Sequence, residues 1–405
     1  MTIERWGARG LLVALAAALP MEPAGADKNY APGVTDTEIK IGQTMAYSGP
    51  TSAFGTVGKS EGAYFQMVNE RGGIHGRKLR FISLDDGYSP PKTVEQTRRL
   101  VEQDEVLLMF GSLGTAHNTA VQKYLNARKV PQLFIGSISN KWNDPKNFPW
   151  TMALPIPPRI EAAIYASYIL SNRPGARIAV LYQNDDFGKD YLASLKEALA
   201  GRAGTMVVAE VSYEVTDPTV DSQVVTLKGS GADVLMNFST PKAAAQVIRK
   251  VYDIGWKPTH FISVASTSVA AVLAPAGLEK STGLISATFA KDPSDPSWRD
   301  DREVKEWFAW MKQYYPEGST TDLLNVTGYV FAAALVQVLQ RCGDDLSREN
   351  VMRQATNLRD VELPMLLPGV KMNTTPTDYV PFKQMQLRGF DGTRWVRFGE
   401  MISRP

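Results

Sequence analysis

Short apolar runs alternate with amphipathic stretches along most of this chain, and that alternation restricts its fold more than any other feature. EIKIGQTMA (38–46) sets Ile39 and Ile41 on one face at strand spacing. TVGKSEGAYFQMVNERGG (56–73) then puts Ala63, Tyr64, Met67 and Val68 at helical spacing and ends in a glycine stop. KLRFISL, PPKTVEQTRRLVEQ, VLLMF, a helix through Tyr124 and Leu125, and QLFI continue the alternation to residue 135. Short strands separated by amphipathic helices require a parallel sheet covered on both faces. The pattern begins again after the proline-rich ALPIPPR (153–159): RIEAAIYASYILSN, RIAVLY, FGKDYLASLKEALAG, MVVAEVSY, DPTVDSQVVTLKGSG, DVLMNF, PKAAAQVIRKVYDIG and HFISV follow in turn. The expected fold is therefore α/β, with two consecutive doubly wound modules and a crossover at the prolines. Beyond residue 290 the style changes to two long helices, a shorter one capped by Ser347, and a hairpin turning at Asp391-Gly392. These pieces do not extend a βαβ sheet and are expected to return and complete both modules.

The first 26 residues read as a secretory signal peptide. Arg5 and Arg9 supply the positive end, Leu11 to Leu19 an apolar core too short to span a bilayer, and Ala24, Gly25 and Ala26 the small residues before a cut at Asp27. No cysteine stands near that cut, so a lipid anchor is not expected there; the mature chain is placed in the periplasm. The net charge of +2, with no basic run, gives no reason to bind nucleic acid. Cys342 is the only cysteine and cannot form an intrachain disulfide.

No catalytic set emerges. GSLGTA (111–116) lacks the third glycine of a dinucleotide loop and the lysine of a phosphate loop. G-x-S-x-G is absent. His75, His117 and His260 lie in separate segments without metal-ligand spacing and read as surface or turn residues. The acidic pairs Asp85-Asp86 and Asp185-Asp186 follow strands, where aspartate commonly organises the next turn. No enzyme activity, metal or cofactor is expected. What recurs is a strand ending in a small polar turn: MAYSGP, FGSLGT and IGSISN in one module, YQNDDFG, NFSTP and SVASTS in the other. Ligands of open α/β sheets sit outside the carboxyl ends of the strands, so facing modules would line one cleft with hydroxyls and amides.

IKIGQTMAYSGPTSAFG, NERGGIHGRKLRFISLDDGYSP, VLLMFGSLGT and RIAVLYQNDDFGKDYL together resemble the branched-chain amino acid type of periplasmic solute-binding protein, over about residues 36 to 402. The resemblance implies a type I periplasmic-binding fold: two α/β lobes joined by three crossovers, closing on a ligand for an inner-membrane ABC permease. It places lobe one at 36–156 and 288–370, and lobe two at 157–287 and 371–405. A monomer is expected. By position in that family, Thr115, Ser137 and Ser139 would hold the ligand carboxylate, with Ser112 close by, and Phe54 and Phe187 would be aromatic contacts from opposite lobes.

The chain departs from the family at the amino end of the ligand. Family members that bind amino acids carry an acidic residue after the strand corresponding to HFISV; here Ala265 or Ser266 stands there. Phe238 and Ser239 replace an expected tyrosine in the neighbouring loop. An ammonium group without its carboxylate loses a charge-assisted bond worth roughly 1.5–3 kcal/mol. The expected ligand is thus a small organic acid, aromatic or branched, with Phe187, Phe238 and Tyr329 against its apolar end. An amino acid, or an amide or urea read by a sensor of the same fold, is the alternative.

Overall fold

The computed structural model of the protein describes Met1, Thr2 and residues 28–404. Apart from its first two residues, the leader expected over 1–26 lies outside the described residues.

Five parallel strands form the first sheet: β1 (Glu38–Met45), β2 (Lys78–Asp85), β3 (Leu108–Phe110), β4 (Gln132–Ile135) and β5 (Thr151–Ala153). They lie in the order β2-β1-β3-β4-β5. The central β3 and β4 are buried on both faces, as a sheet sandwiched between helices requires. Its connecting helices are α1 (Gly55–Glu70), α2 (Pro90–Glu102) and α3 (Thr115–Ala127). Two prolines open α2, where the missing N–H costs nothing.

The second sheet repeats this order. Strands β6 (Ile178–Gln183), β7 (Val207–Tyr213), β8 (Val234–Phe238), β9 (Thr259–Ile262) and β10 (Ile285–Thr288) run β7-β6-β8-β9-β10, again parallel. The helices α4 (Pro158–Asn172), α5 (Asp186–Ala198), α6 (Asp221–Gly229) and α7 (Pro241–Asp253) accompany it. Beyond β10 the chain forms α8 (Arg302–Tyr314), α9 (Leu323–Cys342) and α10 (Arg348–Ala355), then β11 (Gln384–Phe390) and β12 (Trp395–Arg397). α8 and α9 pack on α1, and Arg348 of α10 donates to the carbonyls of Val106 and Leu107 beside β3. β11 returns to pair antiparallel with β10, and β12 completes the hairpin, Phe390 opposite Trp395. The chain therefore passes between the two sheets three times: after β5, after β10 and after α10.

α9, 20 residues long, is mostly apolar because its neighbours surround it, and most of its side chains are buried. Asp322 caps it, accepting from the Leu324 amide, and also accepts from Ser268 of the second lobe at 2.7 Å. Cys342 in its last turn donates to the Val338 carbonyl, and burial pushes its thiol up to about 12, which makes it inert.

A buried polar knot fixes the second sheet against the first crossover. Glu161 of α4 accepts from Tyr165 at 2.6 Å, from Tyr191 of α5, and from the Val264 amide at 2.8 Å. Burial raises the pKa of this carboxyl, against the opposing pull of the tyrosine and amide donors. Ser263 in turn donates to Tyr191 at 2.9 Å. The loop at Val264 is thereby held in place from below. Tyr191→Phe should leave the fold intact but remove a buried donor to Glu161, costing about 1–3 kcal/mol in urea unfolding; unchanged stability would show that the knot is dispensable.

Candidate ligand-binding site

Each sheet changes winding direction next to its first strand, and the loops leaving these switch points face each other across the interlobe cleft. A cavity of about 130 Å³ lies there. Lobe one contributes Met45, Phe54 and Val57 from β1 and α1, Tyr88 after β2, Gly111 to Thr115 after β3 (Ser112 excepted), and Gly136 to Ile138 after β4. Lobe two contributes Phe187, Thr240, Val264 and Ala265. Phe289 comes from the second interlobe segment, and Leu324, Thr327 and Phe331 from α9. The wall is mostly apolar; among the described residues its polar side chains are hydroxyls, and no Asp, Glu, Lys or Arg lines it.

The turn GSLGT must be built on glycine twice. Gly111 has φ +61°, and a β-carbon there would come within 2.7 Å of the Glu61 carboxyl. Gly114 has φ +94°, with a β-carbon position 2.4 Å from His117 Nδ1. Gly114 is also the N-cap of α3 and, having no side chain, leaves the first-turn amides uncapped where the helix meets the cavity. Uncapped amides and the positive end of the helix dipole favour an oxyanion. Beside them Thr115 Oγ1 and Ser137 Oγ are 2.8 Å apart, and Ser137 Oγ accepts from Trp142 Nε1 at 2.8 Å. Either orientation of this pair uses one O–H and leaves the other for a ligand oxygen.

Of the ten residues named from sequence, Phe54, Thr115, Ser137 and Phe187 line the cavity. The other six do not, and each has a structural occupation. Ser112 Oγ accepts from the Thr44 amide, tying the turn to β1. Ser139 donates to Asp190 of α5, and the adjacent Asn140 amide also binds Asp190, at 3.0 Å; this is a contact between lobes. Phe238 ends β8 with its ring stacked on Tyr191, centroids 4.6 Å apart. Ser239 donates to Asn237, and Ser266 donates to the Ser239 carbonyl at 2.6 Å. Tyr329 points into the helical layer, its ring against Tyr64 and Trp310. The position where an acidic residue was weighed falls to Ala265, which does line the cavity.

Sequence reasoning missed Tyr88, Thr240, Phe289, Thr327 and Phe331. Thr327 and Phe331 are one helical turn apart on α9, and that spacing was the available signal.

The acidic pairs organise loops. Asp85 is raised by its partial burial, but Ser48 and the amides of Gly87, Ser48 and Tyr47 outweigh this and hold its pKa below the usual carboxylate range. Asp86 accepts from Thr93 at 2.7 Å and from the Tyr88 amide. Asp185 caps α5. Asp186 lies 3.5 Å from Lys141 and from Thr119 of lobe one, across the cleft. Two histidines expected near the surface are buried. His117 packs its ring against Tyr88, centroids 4.0 Å apart, and burial lowers its pKa. His260 lies beside Asn237 in the second sheet and burial brings it down to about 3. Both are neutral packing elements at neutral pH.

Two α/β lobes with a mainly apolar cavity between opposed strand ends define a solute-binding protein. The chain belongs to the periplasmic binding protein family, which it matches over residues 38–390, and it has the type I fold of that family. It is 23% identical over 336 residues to Leu/Ile/Val-binding protein homolog 7 of Brucella abortus (strain 2308), covering 80% of this chain and 82% of that protein. Among solved structures it is similar to a branched chain amino acid ABC transporter protein from Thermus thermophilus with bound valine, at TM-score 0.83 and 17% identity, covering 92% of this chain and 98% of that one. It is similar also to a fatty acid ABC transporter substrate-binding protein from Thermomonospora curvata, at TM-score 0.77 and 21% identity, covering 93% and 95%.

Beneath the glycine turn, Glu61 is fully buried, bonded through one oxygen to Gln43 and with the other oxygen unpartnered. Desolvation raises its pKa well above 4.5. The folded chain therefore keeps this proton at pH values where the unfolded chain has lost it, and stability from this group falls as pH rises. Glu61→Gln retains the shape and removes the titration. Urea unfolding should show the variant gaining on the wild type steadily from pH 5 to pH 8; a constant difference would mean that Glu61 ionises normally.

Proposed function

We propose that this periplasmic solute-binding protein captures a small organic acid without an amino group, aromatic or branched in body, and presents it to an inner-membrane ABC permease. The observation that carries this reading is the cavity wall: hydroxyls and an open helix N-terminus at one side, aromatic rings from both lobes, and no carboxylate to meet an ammonium group. The acid's oxygens would lie at Thr115, Ser137 and the first amides of α3. Its body would pack between Phe54 and Phe187, which come from opposite lobes and so reward closure. The leader read over residues 1–26 supports export. The Thermomonospora neighbour, whose name specifies fatty acids, supports an acid ligand lacking an amine in this fold.

Tryptophan fluorescence or calorimetry against organic acids, amino acids and amides tests the reading. Acids without an amine should bind, and Thr115→Val should weaken them roughly 10-fold or more by removing a hydrogen bond to a charged oxygen, with thermal unfolding little changed. Tight binding of leucine with no response to any amine-free acid would overturn it, and a preference for uncharged amides would favour the sensor alternative.

A further inference from the structure

Behind the ligand cavity lies a second one, of about 60 Å³. The two share Val264, Ala265, Phe289, Leu324, Thr327 and Phe331, so these residues form the wall between them. At the far side of the second cavity stands Arg388 of β11, only 2% exposed.

This guanidinium is incompletely satisfied. Nη2 donates to Thr267 Oγ1 at 2.6 Å. Nη1 lies 3.6 Å from Asp292 Oδ2, close enough to offset charge but too far for a hydrogen bond. Among the described residues Nε and Nη1 have no hydrogen-bond partner, and neither has Asp292 Oδ2. The Trp395 ring covers one side of the group, 4.6 Å away. The hydroxyls of the second cavity are occupied: Thr267 donates to the Val264 carbonyl, Ser268 to Asp322, Thr288 to the Ala290 carbonyl and Thr327 to the Leu323 carbonyl. Arg388 is thus the wall residue with open donors. Burying guanidinium N–H groups without acceptors is unfavourable, and a carboxylate, which brings both acceptor oxygens and an opposite charge, is the group best suited to accept from them.

We propose that the second cavity is the distal half of the ligand site, where Arg388 receives the far, oxygen-bearing end of an elongated acid whose near carboxylate sits at Thr115. This rests on the organic-acid reading above and narrows it: the preferred ligands are bifunctional acids with an apolar middle, α,ω-dicarboxylates foremost. The apolar partition, which includes Phe289 and Phe331, suits the middle of such a molecule. The empty protein keeps Arg388 tolerable through Asp292 and the Trp395 face, and the ligand completes its hydrogen bonds.

Calorimetric titration of the full mature chain with linear monocarboxylic and α,ω-dicarboxylic acids of increasing length tests this. At the matching length the dicarboxylate should bind at least roughly 10-fold tighter than the monocarboxylate. Arg388→Gln should bring the two acids level. Because that change could unfold the hairpin, Val330→Phe serves as the second variant: Val330 lines the second cavity and not the first, and a ring there adds bulk to it without replacing a polar group. It should abolish the preference for long dicarboxylates and leave short monocarboxylates bound. If monocarboxylates bind and no dicarboxylate gains at any length, Arg388 is a structural cation and the inference fails while the organic-acid reading stands. If amino acids bind and no amine-free acid does, the organic-acid reading itself falls, and this inference with it.

Discussion

All strands of a parallel sheet end along one edge, and in this molecule two such edges are held face to face. That backbone constraint places every element of the ligand site. Each sheet has the order 2-1-3-4-5, so the chain departs in opposite directions on either side of its first strand and leaves a crevice there. In lobe one the crevice is bordered by Phe54 and by the turn from Gly111 to Thr115, and in lobe two by Phe187 and Thr240. The three interlobe passages keep the crevices opposed. Their chain paths also contribute to the site, since Phe289 and the helix bearing Thr327 and Phe331 follow the second passage.

The electrostatics of the cavity wall are those of dipoles, not of charges. Carboxyls close to the site are either spent on amides and hydroxyls, as in Asp85 and Asp86, or buried where desolvation keeps a proton on them, as in Glu61. What remains at the cavity wall is the amide end of α3 and a pair of hydroxyls. Such a surface stabilises an anion by fixed, oriented N–H and O–H groups at no cost in burying a counter-charge. It offers little to a cation.

The two-module architecture was legible because period-2 and period-3.6 apolar patterns are local, and so was the glycine turn, since Gly111 and Gly114 stand where a strand gives way to a helix. Individual site residues were legible only when their neighbourhood is also local. Thr115 and Phe187 sit at or near helix starts, and a helix start fixes where its first side chains point. Phe238 illustrates the failure. It ends a strand facing the cleft, yet strand alternation turns its ring into the stack on Tyr191, and that direction depends on where α5 packs. The serines failed for a different reason: Ser112, Ser139, Ser239 and Ser266 each found a partner inside the fold, and nothing local distinguishes a spent hydroxyl from a free one. Thr327 and Phe331 did not stand out because most of their helix is apolar and buried.

Arg388 was the least legible of all. In sequence it is one charged residue in an alternating hairpin strand, the commonest setting for a solvent-facing side chain. The returning strand β11 inserts beside β10 and not at an outer edge, with β12 beyond it, so a position that would face water in an isolated hairpin faces the interior. The same insertion brings Trp395 over the guanidinium and Asp292 within 3.6 Å of it. An arginine held in this way has few acceptors left to satisfy it, because the hydroxyls that share its cavity wall are bonded elsewhere. Its open donors are a consequence of the fold placing β11 inside the sheet, between β10 and β12, and a fold that merely needed a stabilising residue there would gain more from an apolar one.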